Sequence, residues 1–175
     1  WWPEYKGYLF RARLAGTLER GDFEAIVQLE NEIGEKNLPP NYKSSASLAT
    51  AVKLKSASAA KGACAPSSDP SLMNRCLLAL AAVGDLDDAY LLAAKLYPPR
   101  VGRTTASSDR IWLHAPDYTP TEFITSPAAA PLRRDRRYLA LAQRTGLVAY
   151  WRTGALPDFC RNAPEPICGE LFHRR

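Results

Sequence analysis

One stretch constrains the fold more than any other. In "SLMNRCLLALAAVGDLDDAYLLAAKLYPP", residues 71–99, an apolar run, a Gly84-Asp85 hinge, a second apolar run and a diproline stop follow one another. Glycine ends a helix by adopting a backbone conformation that side-chain-bearing residues avoid, and aspartate accepts a hydrogen bond from the free N–H groups that open the next helix. The stretch therefore predicts an antiparallel helix pair. The same unit stands near the start of the chain. Leu9, Phe10, Leu14 and Leu18 recur at helical spacing over about Tyr5–Arg20, and "RGDFEAIVQLENEIG" adds a Gly21-Asp22 hinge and the apolar stripe Phe23, Ile26, Val27, Leu29, Ile33. Aligning the two hinges gives an offset of 63 residues, close to two units of about 34, and a degenerate hairpin is expected between them. There, residues 44–68 hold seven serines and eight alanines. Leu48, Val52 and the lack of Pro or Gly before Gly62 predict a helix over about 45–61, followed by a loop from Gly62 to Pro70.

With 175 residues, 46% of them apolar, the chain can bury one continuous core without a metal. The net charge of +5 mildly favours anionic partners and does not demand nucleic acid. The longest apolar stretch, Cys76–Val83, is far short of the roughly 20 residues of a membrane span. The chain begins Trp1-Trp2-Pro3, so a processed or truncated product is expected. Paired tryptophans suit the interface beside a membrane span, which leaves an anchor upstream of Trp1 open; the blander reading packs them under the first helix.

Cys64, Cys76, Cys160 and Cys168 form two local pairs. Each pair flanks a short proline-containing segment that is easily closed, which favours Cys64–Cys76 and Cys160–Cys168 disulfides, each contributing on the order of 2.5–3 kcal/mol by loop entropy. Free buried thiols and zinc are the alternatives, but the spacing does not match the two to four intervening residues of zinc knuckles. Disulfides imply an oxidising compartment such as a periplasm.

After Pro99 the composition turns to Ser, Thr, Pro and Ala through residue 131, with "RIWLHAPDY" as its apolar patch. This predicts an extended connector lying on the helices, anchored by Ile111, Trp112, Leu113 and Tyr118. The segment "PLRRDRRYLALAQRTGLVAYWRTGALPDFC" then predicts a helix capped by Asp135 with Tyr138, Leu141 and Ala142 inward and a stop at Gly146. A second short helix presents Leu147, Tyr150 and Trp151, and a last turn at Pro157-Asp158 carries Cys160. Residues 1–99, 100–131 and 132–175 are thus expected to be repeat hairpins, connector and helical cap of one all-α domain.

Gly84, Asp85, Leu86, Ala89 and Pro98 resemble the tetratricopeptide repeat, whose helix pairs use a Gly-Asp/Asn-aromatic turn, a small residue soon after and a closing proline. The helix-A tryptophan and glycine of that repeat are absent. The C-terminal stretch resembles the end of the tetratricopeptide-like periplasmic domain of membrane-anchored winged-helix bacterial transcriptional regulators (CadC-like). The matching positions are Pro131, Leu132, Arg133, Asp135, Arg137, Leu139, Leu141, Gly146, Leu147, Tyr150, Trp151, Arg152, Pro157, Asp158 and Cys160. Where that family usually has Asp-Pro-Arg-Phe, this chain has Asp135-Arg136-Arg137-Tyr138. The resemblance implies a tetratricopeptide-like hairpin stack acting as a periplasmic sensory or protein-interaction module, binding a protein or peptide without cofactor. A stand-alone envelope scaffold or assembly subunit is the alternative.

For chemistry, Tyr150, Arg152 and Cys160 are the dense cluster, but a nucleophilic cysteine needs a base, and His173 stands near the end of the chain. A structural role is favoured over a hydrolase using Cys160 or His114, and two histidines without a paired carboxylate motif argue against a metal centre. Tyr150 and Trp151 read as an aromatic plug sealing the stack. Arg133, Arg134, Arg136 and Arg137 read as a solvated or internally paired surface before an anion-binding one, with no recognition-helix pattern for nucleic acid. If the repeats are genuine, Arg11 and Asn74 occupy corresponding inward-facing positions of a peptide groove.

Overall fold

The computed structural model describes residues 13, 16–17, 20–33, 40–65, 70–98, 121–154, 156–162 and 165–172. These residues are mostly helical, with no strand among them, in keeping with the expected all-α class. Arg11, His114, His173, most of the first expected helix and the connector anchors Ile111, Trp112, Leu113 and Tyr118 lie outside them.

Five helices form the first part: α1 (Phe23–Ile33), α2 (Pro40–Lys53), α3 (Ala57–Cys64), α4 (Pro70–Ala82) and α5 (Leu86–Leu96). α4 is apolar nearly all round and is the central rod. From Leu72 to Ala81 its residues are almost completely buried, Met73 excepted, and it packs against α2, α3 and α5 as well as the C-terminal helices.

The turns between helices share one construction. At Gly84 (φ +85°) the backbone turns left-handed, Asp85 N–H donates to Leu80 O at 2.9 Å and Gly84 N–H to Ala81 O at 3.1 Å, closing the last turn of α4. Asp85 then accepts from Asp88 N–H to open α5. Gly21 (φ +72°) and Asp22 repeat this, with Asp22 N–H donating to Thr17 O and its carboxylate accepting from Ala25 N–H. The helix expected over 45–61 is instead two helices, α2 and α3. Ser56 N–H donates to Ala51 O at 2.9 Å, Ser56 Oγ accepts from Ala59 N–H, and Lys55 (φ +51°) takes the place of the glycine. Lys55 lies 34 positions after Gly21 and 29 before Gly84, so this turn fills the gap left between the two recognisable hinges. α3 also runs through Gly62 to Cys64, where a loop was expected.

Two devices fasten α3. Cys64 pairs with Cys76 of α4 at a Cα–Cα distance of 5.7 Å. Lys61 Nζ bridges Asp85 (2.9 Å) and Asp88 (2.5 Å) at the start of α5, where the helix dipole also favours carboxylates.

The second part begins with α6 (Glu122–Thr125), a 3₁₀ turn (Pro127–Ala129) and α7 (Ala130–Arg133), so the connector expected to be extended through 131 is helical from Glu122. α8 (Arg137–Arg144) buries Tyr138, Leu141 and Ala142 as expected. Gly146 (φ +83°) leads into α9 (Leu147–Thr153), and α10 (Asp158–Asn162) and α11 (Pro166–Phe172) end the described chain. Phenol hydroxyls tie the elements together: Tyr90 of α5 donates across the two parts to Leu132 O at 2.8 Å, and Tyr138 donates within the second part to Ile124 O at 2.9 Å. Burial pushes both phenols above their usual pKa, which keeps them protonated donors.

A Cβ on Gly84 meets nothing within 4 Å, so substitution there isolates the backbone conformation from packing. Gly84→Ala is expected to cost about 1 kcal/mol, and Lys55→Gly to gain roughly 0.5–1 kcal/mol, since a left-handed residue with a Cβ is strained. Urea denaturation midpoints of the two variants measure both.

Candidate functional site

A single turn, α7, ends on Arg133, whose side chain is 3% exposed although it opens a run of four arginines. Its Nε donates to Glu165 Oε2 at 2.6 Å and its Nη2 to Oε1 at 3.2 Å, a forked pair spanning 32 residues of sequence. Nη1 donates to the Ser126 carbonyl, and the guanidinium lies over the Phe159 ring at 4.6 Å. Phe159 in turn meets Trp151 edge to face, centroids 5.6 Å apart. Every face of this buried cation is thus answered by a carboxylate, a carbonyl or a ring.

Glu165 is delivered by a stapled loop. Cys160 of α10 and Cys168 of α11 pair at a Cα–Cα distance of 5.6 Å, and Glu165 lies between them. The two cysteine pairs at disulfide distance fit an oxidising, extracellular-type environment, and no helix among the described residues is long and apolar enough to cross a membrane. Cys160 carries no thiol in this state, so the thiolate required by a cysteine hydrolase is not available there.

Around this knot opens a cleft of about 690 Å³. Thr121, Glu122 and Thr125 of the α6 region, Pro127 of the 3₁₀ turn and Arg133 form one side; Leu147, Tyr150 and Trp151 of α9, Pro157, Asp158 and Phe159 of α10, and Glu165 form the other. Half of these twelve residues come from the single stretch 146–160. That stretch was expected to seal the stack, with Tyr150 and Trp151 both plugging it. The two side chains part company: Trp151 is 5% exposed and floors the cleft, whereas Tyr150 is 63% exposed at its edge. Val148, not Tyr150, joins Trp151 on the buried face of α9.

The remaining predicted residues lie elsewhere. Asn74 is 1% exposed; its Nδ2 donates to Pro70 O at 3.0 Å and its Oδ1 accepts from Tyr97 OH at 2.9 Å, so both ends of the amide are engaged inside the stack rather than presented to a groove. Asp135 accepts from Arg137 N–H at the start of α8 and binds its guanidinium at 2.9 Å. Arg137 also reaches Asp87 at 2.7 Å and stacks on Tyr90 at 4.5 Å. Two of the four clustered arginines are therefore paired internally, while Arg134 and Arg136 are exposed. Asp158 opens α10 and stands 3.5 Å from Arg161. Among the described residues no group of three His, Cys, Asp or Glu is placed to hold a metal. Sequence reasoning missed the buried state of Arg133 and its partner Glu165, for which no local pattern exists.

The chain matches no protein-family model, no curated protein and no solved structure.

The Arg137 hydrogen bonds hold the Asp135 carboxyl below its ordinary pKa of 3.8, and Lys61 does the same for Asp85. A depressed carboxylate stabilises the fold above the unfolded pKa and loses that contribution as pH falls through the lower folded value. Melting temperature is therefore expected to drop as pH falls below about 4. In Asp135→Asn, already less stable at neutral pH, the acid-induced drop should be smaller; thermal melts by circular dichroism across this range check it.

Proposed function

We propose that this chain is a non-catalytic binding module of the bacterial envelope, a tetratricopeptide-like hairpin stack whose C-terminal cap carries the ligand cleft. Its role is sensory or protein-interacting, of the kind that the periplasmic part of a membrane-anchored winged-helix regulator performs. The observation that carries this reading is the cleft itself. Six of its twelve lining residues are aromatic or aliphatic and six are polar or charged, and its volume lies in the ordinary range of binding pockets. Tyr150 leaves a large ring in solvent at the cleft edge, a residue type enriched at protein interfaces.

The scaffold supports the reading from two further directions. Three turns of one construction, 34 and 29 residues apart, fit a repeat that is partly degenerate at Lys55. The two cysteine pairs suit a periplasm. The cap is also rigid where it matters, because the disulfide and the Arg133–Glu165 pair fix both walls before any ligand arrives, lowering the entropy lost on binding.

A photo-reactive benzoylphenylalanine placed at Tyr150 in the native host is expected to give a discrete cross-linked adduct in the envelope fraction. The same group at Leu54, exposed in the α2–α3 turn and outside the cleft, should give none. No adduct at Tyr150, or equal adducts at both positions, would contradict the proposal.

A further inference from the structure

Building on the binding role proposed above, we infer that the cleft takes an uncharged, proline-rich segment of a partner protein in its extended polyproline conformation, with pyrrolidine rings laid against Tyr150 and a backbone carbonyl accepting from the Trp151 indole N–H. The apolar half of the lining is Leu147, Tyr150, Trp151 and Phe159 with Pro127 and Pro157. Trp151 and Phe159 meet with their planes at 86°, so the two rings make a corner, and Tyr150 stands at the cleft edge with its side chain in solvent. Aromatic-lined grooves receive polyproline helices, which arrive already ordered and lose little entropy on docking.

Charge sets the first constraint on the ligand. Glu165 is forked onto Arg133, Asp158 stands against Arg161, and Glu122 has an interaction partner of its own, so each charged group of the lining is engaged before a ligand arrives. A cation or an anion has to exchange with one of these partners, whereas a neutral ligand displaces none. Hydrogen bonding sets the second constraint. Thr125 Oγ1 donates back to its own helix, to Thr121 O and Glu122 O at 3.2 Å each. Trp151 lines the floor, almost wholly buried, and its indole N–H donates to no described residue. The group left over on the floor is therefore a donor, and it is matched by a ligand acceptor. A proline-rich segment fits this imbalance, because each proline brings a carbonyl and no N–H. An ordinary peptide or a glycan brings N–H or O–H donors as well, and the engaged carboxylates answer them poorly.

The test is an NMR titration of the oxidised full chain with capped hexaproline, a capped Gly-Ser peptide of the same length, and chitotetraose as an uncharged glycan. Hexaproline is expected to shift the Leu147, Tyr150 and Phe159 amides saturably and to move the Trp151 indole proton downfield as it gains an acceptor. Its affinity should change by less than about twofold between low and high salt, since no charge is exchanged. The Gly-Ser peptide should bind at least about tenfold more weakly, as should hexaproline to Tyr150→Ala, a change of an exposed side chain. If the Gly-Ser peptide or chitotetraose moves the same signals as well as hexaproline does, the proline assignment is overturned while the cleft stands as a binding site. If none of the three moves them, the assignment is likewise overturned, and the Tyr150 cross-link alone decides the binding role.

Discussion

A guanidinium brought out of water costs several kcal/mol unless its charge and donors are answered, and the C-terminal half of this protein is arranged around answering one. Arg133 draws the Ser126 carbonyl from the end of α6, the Glu165 carboxylate from the loop before α11 and the Phe159 ring from α10. These contacts fix where short helices lie that could not hold a position by themselves, since α6, α7 and α10 each have five residues or fewer. The cleft is the space left between segments so fixed. Its shape is therefore a consequence of the buried pair.

The helical stack supplies the base on which this arrangement sits. α4 is buried on nearly all sides because neighbours cover each of its faces, and the Cys64–Cys76 pair and the Lys61 bridge draw α3 against it and against the start of α5. The connection to the cap is polar and directional. Tyr90 on α5 reaches the Leu132 carbonyl, one residue before Arg133, and Arg137 on α8 returns to Asp87 on α5. Stack and cap are thereby held in one register, and Gly21 makes the same link from the other end, since a Cβ there would lie 3.3 Å from Ala128 in the 3₁₀ turn.

How much of this was legible in the sequence follows from how local its cause is. Gly21-Asp22 and Gly84-Asp85 were readable because glycine and aspartate each have a local physical reason to stand at such a turn. The middle turn was not, because Lys55 adopts the left-handed conformation without the residue that signals it. The inward set Tyr138, Leu141 and Ala142 was readable from helical spacing, whereas Tyr150 and Trp151, adjacent in sequence, could not be sorted into rim and floor without knowing which face α9 buries. Half of the cleft lining lies within the stretch 146–160 that stands out for its dense side chains. Its chemical centre was hidden, because Arg133 reads as one more surface arginine until a carboxylate 32 positions later is brought to it. Asn74 shows the converse: its inward position was readable, but its hydrogen bonds to Pro70 and Tyr97 were not.

The claim on which everything else rests is that the Arg133–Glu165 pair, and not the apolar packing around it, sets the geometry of the cap. A double-mutant cycle with Arg133→Met and Glu165→Leu, followed by urea denaturation of the oxidised chain, tests it most directly. Each single change strands a buried charge and is expected to cost about 3 kcal/mol or more, while the double variant should recover about 2–3 kcal/mol of the summed loss. Additive losses, agreeing within about 0.5 kcal/mol, would contradict the account and return the cap to ordinary hydrophobic packing.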